Sequence, residues 1–256
     1  GARSAGQLTL LIGAGAALVI LFVLRQLRLQ RVASPLLDLR TLTRRPFTIS
    51  LLLMSAAFMA FLGSMILLPL YLQNVRGLSA MQTGLLVMPG GLAMGLLGPR
   101  VGRAYDKIGA RALVIPGSIA MVIALAALSR IDTDTPFAVI LGLHVLLMVS
   151  LAAIFTPVFT LGLGALPPEL YSHGSSLLGT LQQVAGAIGT AVLVVILENR
   201  SMKLAEGGSA PAEAFVGGLQ WAFVAGAVFG LIVVALSFML PSIDRTADQP
   251  ADHGAH

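Results

Sequence analysis

The sequence contains no cysteine, a single tryptophan and few charged residues. Without cysteine, disulfide bonds and thiolate chemistry are excluded. Charged residues make up 11% of the chain and hydrophobic residues 57%, whereas about a quarter of the residues of a soluble domain are charged. This composition excludes an ordinary water-soluble domain and indicates that much of the chain lies in lipid.

The apolar residues form long runs that are separated by short polar stretches. About 20 apolar residues cross the hydrocarbon core as a helix, and the runs lack the apolar/polar alternation of barrel strands. Because a chain in lipid must pair its backbone internally, we predict an all-α integral membrane protein with seven transmembrane helices. The helices are expected at residues 8 to 24, 47 to 72, 80 to 99, 112 to 129, 136 to 160, 174 to 197 and 217 to 240.

The basic residues are concentrated on one side of the predicted membrane. The formal net charge is +5, and eleven of the 16 Lys and Arg residues follow the first, third, fifth and seventh predicted helices. Since Lys and Arg mark the cytoplasmic side, the N-terminus is expected outside and the C-terminus in the cytoplasm, in a plasma membrane. Basic residues at helix ends contact lipid headgroups, so no nucleic-acid partner is expected.

The first apolar run is followed by basic residues, namely Arg25, Arg28 and Arg31. A signal peptide carries its positive charge before the apolar stretch, so this run is expected to be a retained helix. The chain begins at Gly1 rather than at a methionine. We therefore expect an upstream part to be missing.

A faint internal repeat relates the second and fifth predicted helices. Pro46-Phe47 opens one and Pro136-Phe137 opens the other, and Gly84 and Gly174 share the same offset. Three-helix units related in this way lie inverted to each other in the membrane, as in many transporters. The alternative is that Pro and Gly are simply frequent at helix ends.

Ionisable groups are almost absent from the predicted helices. No Asp or Glu lies near the middle of any of them, and His144 is the one ionisable residue well inside. Such residues are costly in lipid and are candidates for function, but His144 could equally be a neutral packing residue that hydrogen-bonds across the bundle. Of Gln182 and Gln183, one must face protein, either in a polar cavity or in an interhelical hydrogen bond.

Small residues recur at helical spacing in three predicted helices. In lipid, such stripes let helix backbones approach closely, so we predict a packing role for them. The residues are Gly91 with Gly95, Ala185 with Gly189, and Ala222 with Gly226 and Gly230.

Residues 102–111, GRAYDKIGAR, form the most specific motif of the chain. Its glycines would allow a tight reversal between two packed helices. The carboxylate of Asp106 can accept hydrogen bonds at a helix N-terminus or pair with an arginine, which would make it a latch between conformations. The alternative is a short cytoplasmic loop with ordinary positive charges.

This motif resembles the G-x-L-x-D-[RK]-x-G-[RK]-[RK] loop of the major facilitator superfamily. The matching residues are Gly102, Asp106, Lys107, Gly109 and Arg111, while Ala104 and Ala110 depart from the pattern. Residues 34–47 resemble the linker that enters the last six helices of the fourteen-helix drug:proton antiporter branch. Residues 167–189 are similar to the penultimate helix of that branch and its entry loop, although His173 stands where the family usually has Arg.

The resemblance implies the C-terminal half of a multidrug efflux antiporter. Residues 1–46 would hold an extra helix and a cytoplasmic linker, 47–240 a six-helix bundle of two inverted three-helix repeats, and 241–256 a disordered cytoplasmic tail. It implies alternating access driven by the proton gradient, without enzymatic chemistry or a cofactor. The implied partners are the lipid bilayer, lipophilic or cationic drugs and the missing N-terminal half.

The cavity of such a transporter needs an apolar and adaptable lining. Phe58, Phe61 and Met65 could supply it, because aromatic faces and flexible methionines accept varied lipophilic molecules. The same residues could also face lipid. In the resembling family, the membrane-embedded acid belongs to the other half, in agreement with its absence here.

Two other classes of protein compete with this interpretation. A seven-helix receptor would share the helix count and the external N-terminus, but a retinal-binding receptor needs a Lys in its last helix, and residues 217 to 240 contain none. A non-transporting membrane assembly protein is the other alternative.

Overall fold

The computed structural model describes residues 38–241 and, further upstream, residues 13–15, 17, 18, 20, 21, 23–26 and 28. The described upstream residues are helical. Five long helices follow: α1 (Arg45–Asn74), α2 (Ala80–Leu128), α3 (Phe137–Gly164), α4 (Tyr171–Glu206) and α5 (Pro211–Ser237). Short 3-10 helices at Leu39–Thr43 and Pro168–Leu170 precede α1 and α4. The described part of the chain has no strand, which confirms the predicted all-α class.

Each of the five helices is long and apolar enough to cross a membrane. The 49 residues of α2 would extend about 74 Å as one straight helix, more than twice the roughly 30 Å of a bilayer core. Gly109, however, has φ 80° and ψ 171°, a conformation that is essentially restricted to glycine. Helix α2 therefore consists of two helical segments, 80–108 and 110–128.

The contacts of α2 with α3 show that the chain reverses at Gly109. Gly90 lies against Met148, and Gly117, 27 residues further along, lies against Ala153. A straight helix would have advanced by about 40 Å over this distance, yet the contact on α3 has moved by only five residues. The five long helices therefore form six helical segments, with the two segments of α2 side by side.

The predicted loop over residues 100 to 111 is wrong. The helix continues through the motif to Ile108, and Gly109 alone leaves the helical conformation. The predicted helix at 174 to 197 is likewise too short, since α4 extends to Glu206. Hydropathy marks the apolar part of a helix, whereas backbone hydrogen bonding can carry the helix on into water. Nine of the seventeen residues of the predicted helix at 8 to 24 are described and are helical, whereas the predicted tail at 241–256 lies outside the described residues except for residue 241.

The small-residue stripes are confirmed on α4 and α5. A Cβ on Gly189 would overlap the backbone of Met59 in α1, and one on Gly230 would lie 2.9 Å from Val122. The prediction is wrong for Gly91 and Gly95, where a Cβ would meet no atom within 4 Å. Their neighbour Gly90 is the residue that packs, against His144 and Met148.

Side chains join the end of α1 to the turn between α2 and α3. The Tyr71 hydroxyl donates to the Asp132 carbonyl at 2.6 Å, and the Arg76 guanidinium donates to the Thr133 and Thr135 carbonyls at 2.8 Å each. The Arg76 guanidinium also lies 4.5 Å from the ring centre of Phe137. These bonds fix α1 next to α3, the pair of helices that forms the candidate site.

Candidate functional site

Helices α1 and α3 face each other through an aromatic cluster. The rings of Phe58 and Phe155 are stacked with their centres 4.9 Å apart, and Phe61 meets each of them edge-on at 5.8 Å. All three side chains are half-buried. Phe58 and Phe61, which we predicted as cavity residues, are thus held together by a third ring.

A cavity of about 260 Å³ lies between α1, α2 and α3. Met65, one turn beyond Phe61, lines it together with His144, so the structure brings two of the predicted site residues together. The full lining consists of Ser64, Met65, Leu68, Pro69, Val87, Met88, Gly91, His144 and Met148. No Asp, Glu, Lys or Arg is among these residues, so the cavity presents an apolar surface with few polar groups.

His144 takes part in both the packing and the cavity. Its side chain is buried, and Nε2 lies 3.1 Å from the carbonyl oxygen of Val87 in α2. Because a carbonyl can only accept, Nε2 carries the hydrogen of this bond, and in the neutral ring Nδ1 is left as an acceptor. The interhelical hydrogen bond that we considered for His144 is therefore present, and the residue lines a cavity as well.

The two glutamines of α4 point in different directions. Gln183 is exposed, whereas Gln182 is half-buried and lies on the same face of α4 as Gly186 and Gly189, which contact α1. The buried Nε2 atom of Gln182 has no hydrogen-bond partner among the described residues. The expectation that one of the two faces protein is confirmed, and Gln182 is that residue.

Sequence reasoning missed four residues at the site. Ser64, Met88, Met148 and Phe155 lie in uniformly apolar runs, where nothing distinguishes them from lipid-facing neighbours. One signal was available: Met148 and Phe155 follow His144 by four and eleven residues, and both spacings place residues on the same face of a helix.

The motif residues lie where the two segments of α2 meet. Gly109 forms the reversal, while Gly102 lies within the helix with no atom within 4 Å of a Cβ position. Asp106 and Lys107 are exposed and Arg111 is half-buried. Within the described residues, Asp106 forms no ion pair.

The described end of the linker is organised by Asp38. Its carboxylate accepts from the backbone N–H of Arg40 at 2.9 Å and forms an ion pair with the Arg40 guanidinium at 2.7 Å. These bonds, chiefly the one from the side chain, hold the pKa of Asp38 below its usual range. Asp38 thereby caps the 3-10 helix that leads into α1.

The described residues form a multi-pass helical bundle with an apolar cavity, and the family and relatives of the chain indicate a membrane transporter rather than an enzyme. Residues 1–190 match the Major Facilitator Superfamily, and the chain belongs to that family. It is 43% identical to the lincomycin resistance protein LmrB of Listeria innocua, over 89% of this chain and 48% of that protein. It is 34% identical to the multidrug export protein EmrB of Escherichia coli, over 65% of this chain and 33% of that protein.

A third relative is an uncharacterised MFS-type transporter of Bacillus subtilis, YcnB. The identity is 36% over 94% of this chain and 50% of that protein. The resemblance to the drug:proton antiporter branch is thereby confirmed, and the receptor and assembly-protein alternatives are not favoured. The chain spans about half the length of LmrB and of YcnB.

Proposed function

We propose that this chain is the C-terminal half of a proton-coupled multidrug efflux transporter. The observation that carries the proposal is the uncharged cavity lined by methionines beside an aromatic cluster. Flexible thioethers and aromatic faces bind lipophilic molecules of varied shape. The names of two relatives, a lincomycin resistance protein and a multidrug export protein, support drugs as the substrate class.

The six helical segments support a bundle of two inverted three-helix repeats. Pro46 lies in the first turn of α1, and Pro136 is the N-cap of α3. Each begins a unit of three crossings, α1 with the two segments of α2, and α3 with α4 and α5. Since each unit contains an odd number of crossings, the second unit enters the membrane from the opposite side to the first.

The bundle would be oriented with the Gly109 reversal in the cytoplasm. Arg100, Arg103, Lys107 and Arg111 surround this reversal, and such a cluster marks the cytoplasmic side. The first helix of the chain would then start outside, and the C-terminus would lie in the cytoplasm of a bacterial cell. In this orientation the methionine-lined cavity lies in the outer half of the membrane.

Energy-dependent efflux is the test of the transport proposal. The complete transporter that contains this chain, produced in bacteria without their own exporters, is expected to lower the accumulation of a lipophilic dye such as ethidium. A protonophore should abolish the effect because export would be driven by the proton gradient. Equal accumulation with and without the transporter, at confirmed membrane abundance, would exclude drug export.

His144 is expected to be dispensable for proton coupling. Its observed bond to Val87 needs one hydrogen on Nε2 and no change of charge, and the cavity holds no carboxylate to exchange a proton with it. In the complete transporter, His144→Gln should keep export driven by a pH gradient, since the amide can donate to the same carbonyl without titrating near neutral pH. Loss of that export with drug binding intact would identify His144 as a proton carrier.

Asp106 is expected to stabilise one conformation of the complete transporter. Its exposed carboxylate has no ionic partner in the described bundle, so it is available to a helix end or basic group of the other half. Such a charge contributes on the order of 1 to 2 kcal/mol, enough to change a two-state ratio roughly tenfold. Asp106→Asn should therefore reach the membrane but transport more slowly.

The accessibility of single cysteines at cavity positions measures this shift directly. This chain contains no native cysteine, so Ser64→Cys or Met65→Cys in this half would be the one thiol that the chain contributes. Asp106→Asn should change the labelling rate from one face of the membrane, whereas Glu206→Gln, which removes an exposed carboxylate outside the motif, is the control. Unchanged labelling together with unchanged transport would reduce the motif to an orientation signal.

A further inference from the structure

We propose that the cavity between α1, α2 and α3 is a subsite for an uncharged aromatic or alkyl group that carries a hydrogen-bond donor, such as a hydroxyl. The inference rests on the proposed export of drugs and specifies which part of a substrate this half of the transporter would hold. Three properties of the cavity support it: its polar groups, the absence of Asp, Glu, Lys and Arg from its lining, and its size.

Ser64 lines the cavity, and its hydroxyl has no hydrogen-bond partner among the described residues. The residue is 3% exposed, and its Oγ atom is buried and unpaired among the described residues. Two serines in these helices, Ser55 and Ser150, instead donate to the carbonyl four residues earlier, at 2.8 and 2.6 Å. A buried hydroxyl without a partner is costly, and a substrate group in the cavity would supply the missing bond.

A second acceptor lies next to Ser64 on the same helix. Pro69 also lines the cavity, and a proline has no backbone N–H to donate to the carbonyl four residues earlier. The carbonyl of Met65 therefore lacks the donor that a helix normally provides at position 69. The Ser64 hydroxyl can donate or accept, whereas the Met65 carbonyl can only accept, so together they favour a ligand hydroxyl that accepts from Ser64 and donates to the carbonyl.

The lining excludes a charged group at this position. None of its residues is Asp, Glu, Lys or Arg, and a charge buried without a partner is strongly disfavoured. The charged end of a cationic drug must therefore be accommodated elsewhere. What the cavity offers is thioether and aliphatic surface, from Met65, Met88 and Met148, which adapts to flat rings.

The volume also limits what can bind. Sites for whole drug-sized molecules occupy about 300 to 1,000 Å³, whereas this cavity measures about 260 Å³. It can take one ring system or side chain of a substrate. The neighbouring aromatic cluster of Phe58, Phe61 and Phe155 would hold the adjoining part.

The test compares three naphthalenes for binding to the chain in lipid nanodiscs. The probe is 2-naphthol, which has a donor; 2-methylnaphthalene has its shape without the oxygen, and 2-methoxynaphthalene keeps the oxygen without the donor. Equilibrium dialysis against empty nanodiscs of the same lipid removes partitioning into the bilayer. The wild-type chain is expected to bind 2-naphthol roughly fivefold more tightly than either analogue, the difference that one neutral hydrogen bond makes.

Ser64→Ala should weaken or abolish this preference without weakening the fold, because the hydroxyl has no partner to lose. Ser50→Ala is the matched control, since the Ser50 hydroxyl is also buried and unpaired but lies against Gly162, away from the cavity. It should leave the preference unchanged. Both variants are checked for unaltered thermal unfolding.

Three results would overturn the inference: no binding of 2-naphthol above the empty nanodiscs, equal affinity for 2-naphthol and 2-methoxynaphthalene, or a preference that Ser64→Ala leaves intact. The binding experiment does not require transport. Failure of export by the complete transporter would therefore contradict the proposed function, whereas failure of naphthol binding beside intact export would contradict this subsite alone.

Discussion

Gly189→Ala is expected to prevent stable folding of the bundle. A Cβ at this position would overlap the Cα, carbonyl carbon and carbonyl oxygen of Met59 in α1. Overpacking typically costs about 1 to 3 kcal/mol, and backbone atoms cannot rotate away as a side chain can. The cost should therefore reach about 3 kcal/mol or more, because α1 and α4 must separate along their contact.

Two other glycines of α4 provide matched controls on the same helix. A Cβ on Gly186 would meet the side chain of Leu62, which can change rotamer. Gly186→Ala should therefore lose an intermediate amount of stability. A Cβ on Gly179 would meet nothing within 4 Å. Gly179→Ala should be neutral or more stable by up to about 1 kcal/mol, since alanine is the better helix former.

Thermal unfolding in detergent, followed by size-exclusion chromatography, ranks the three variants. From the most to the least stable, the expected order is Gly179→Ala, Gly186→Ala and Gly189→Ala. If Gly189→Ala unfolded at the same temperature as Gly179→Ala, the close approach of α1 and α4 would be wrong.

The helical class and most crossings could be predicted from the sequence because hydropathy reports directly on what the bilayer requires. The exact course of α2 could not. Arg100 and Arg103 are charged, which suggested a loop, but a helix can extend into water with its backbone still paired. Within α2, only Gly109 has a backbone conformation that a helix cannot include. The sequence did not show that the chain reverses at Gly109 rather than at Gly102, the other glycine of the motif.

Single site residues were harder to predict than helices. Met65 and His144 stood out by type, and both line the cavity. Ser64 did not, because a serine in an apolar helix usually bonds to its own backbone, and only the structure shows that this one does not. Gly91 and Gly95 were expected to pack, yet the packing residue is Gly90, one position away; a stripe of small residues does not reveal which of its faces meets a neighbour.

This chain is expected not to transport drugs when it is the only protein in the membrane. Its cavity is lined by residues of α1, α2 and α3, and no carboxylate is among them. Alternating access requires a second bundle to move against the first, and proton coupling requires a group whose protonation alternates. The described residues provide a single bundle, and the one ionisable residue that lines its cavity, His144, is expected to be dispensable for proton coupling. The chain should therefore bind lipophilic molecules without moving them across a membrane.

Dye efflux from proteoliposomes under an imposed pH gradient tests most directly whether this chain needs the other half of the transporter. Three preparations are compared at equal protein density: this chain alone, the complete transporter, and the complete transporter with a protonophore. Efflux is expected from the complete transporter without protonophore and from neither of the other two. Gradient-driven efflux from vesicles that contain only this chain would contradict the proposal that it is half of a transporter.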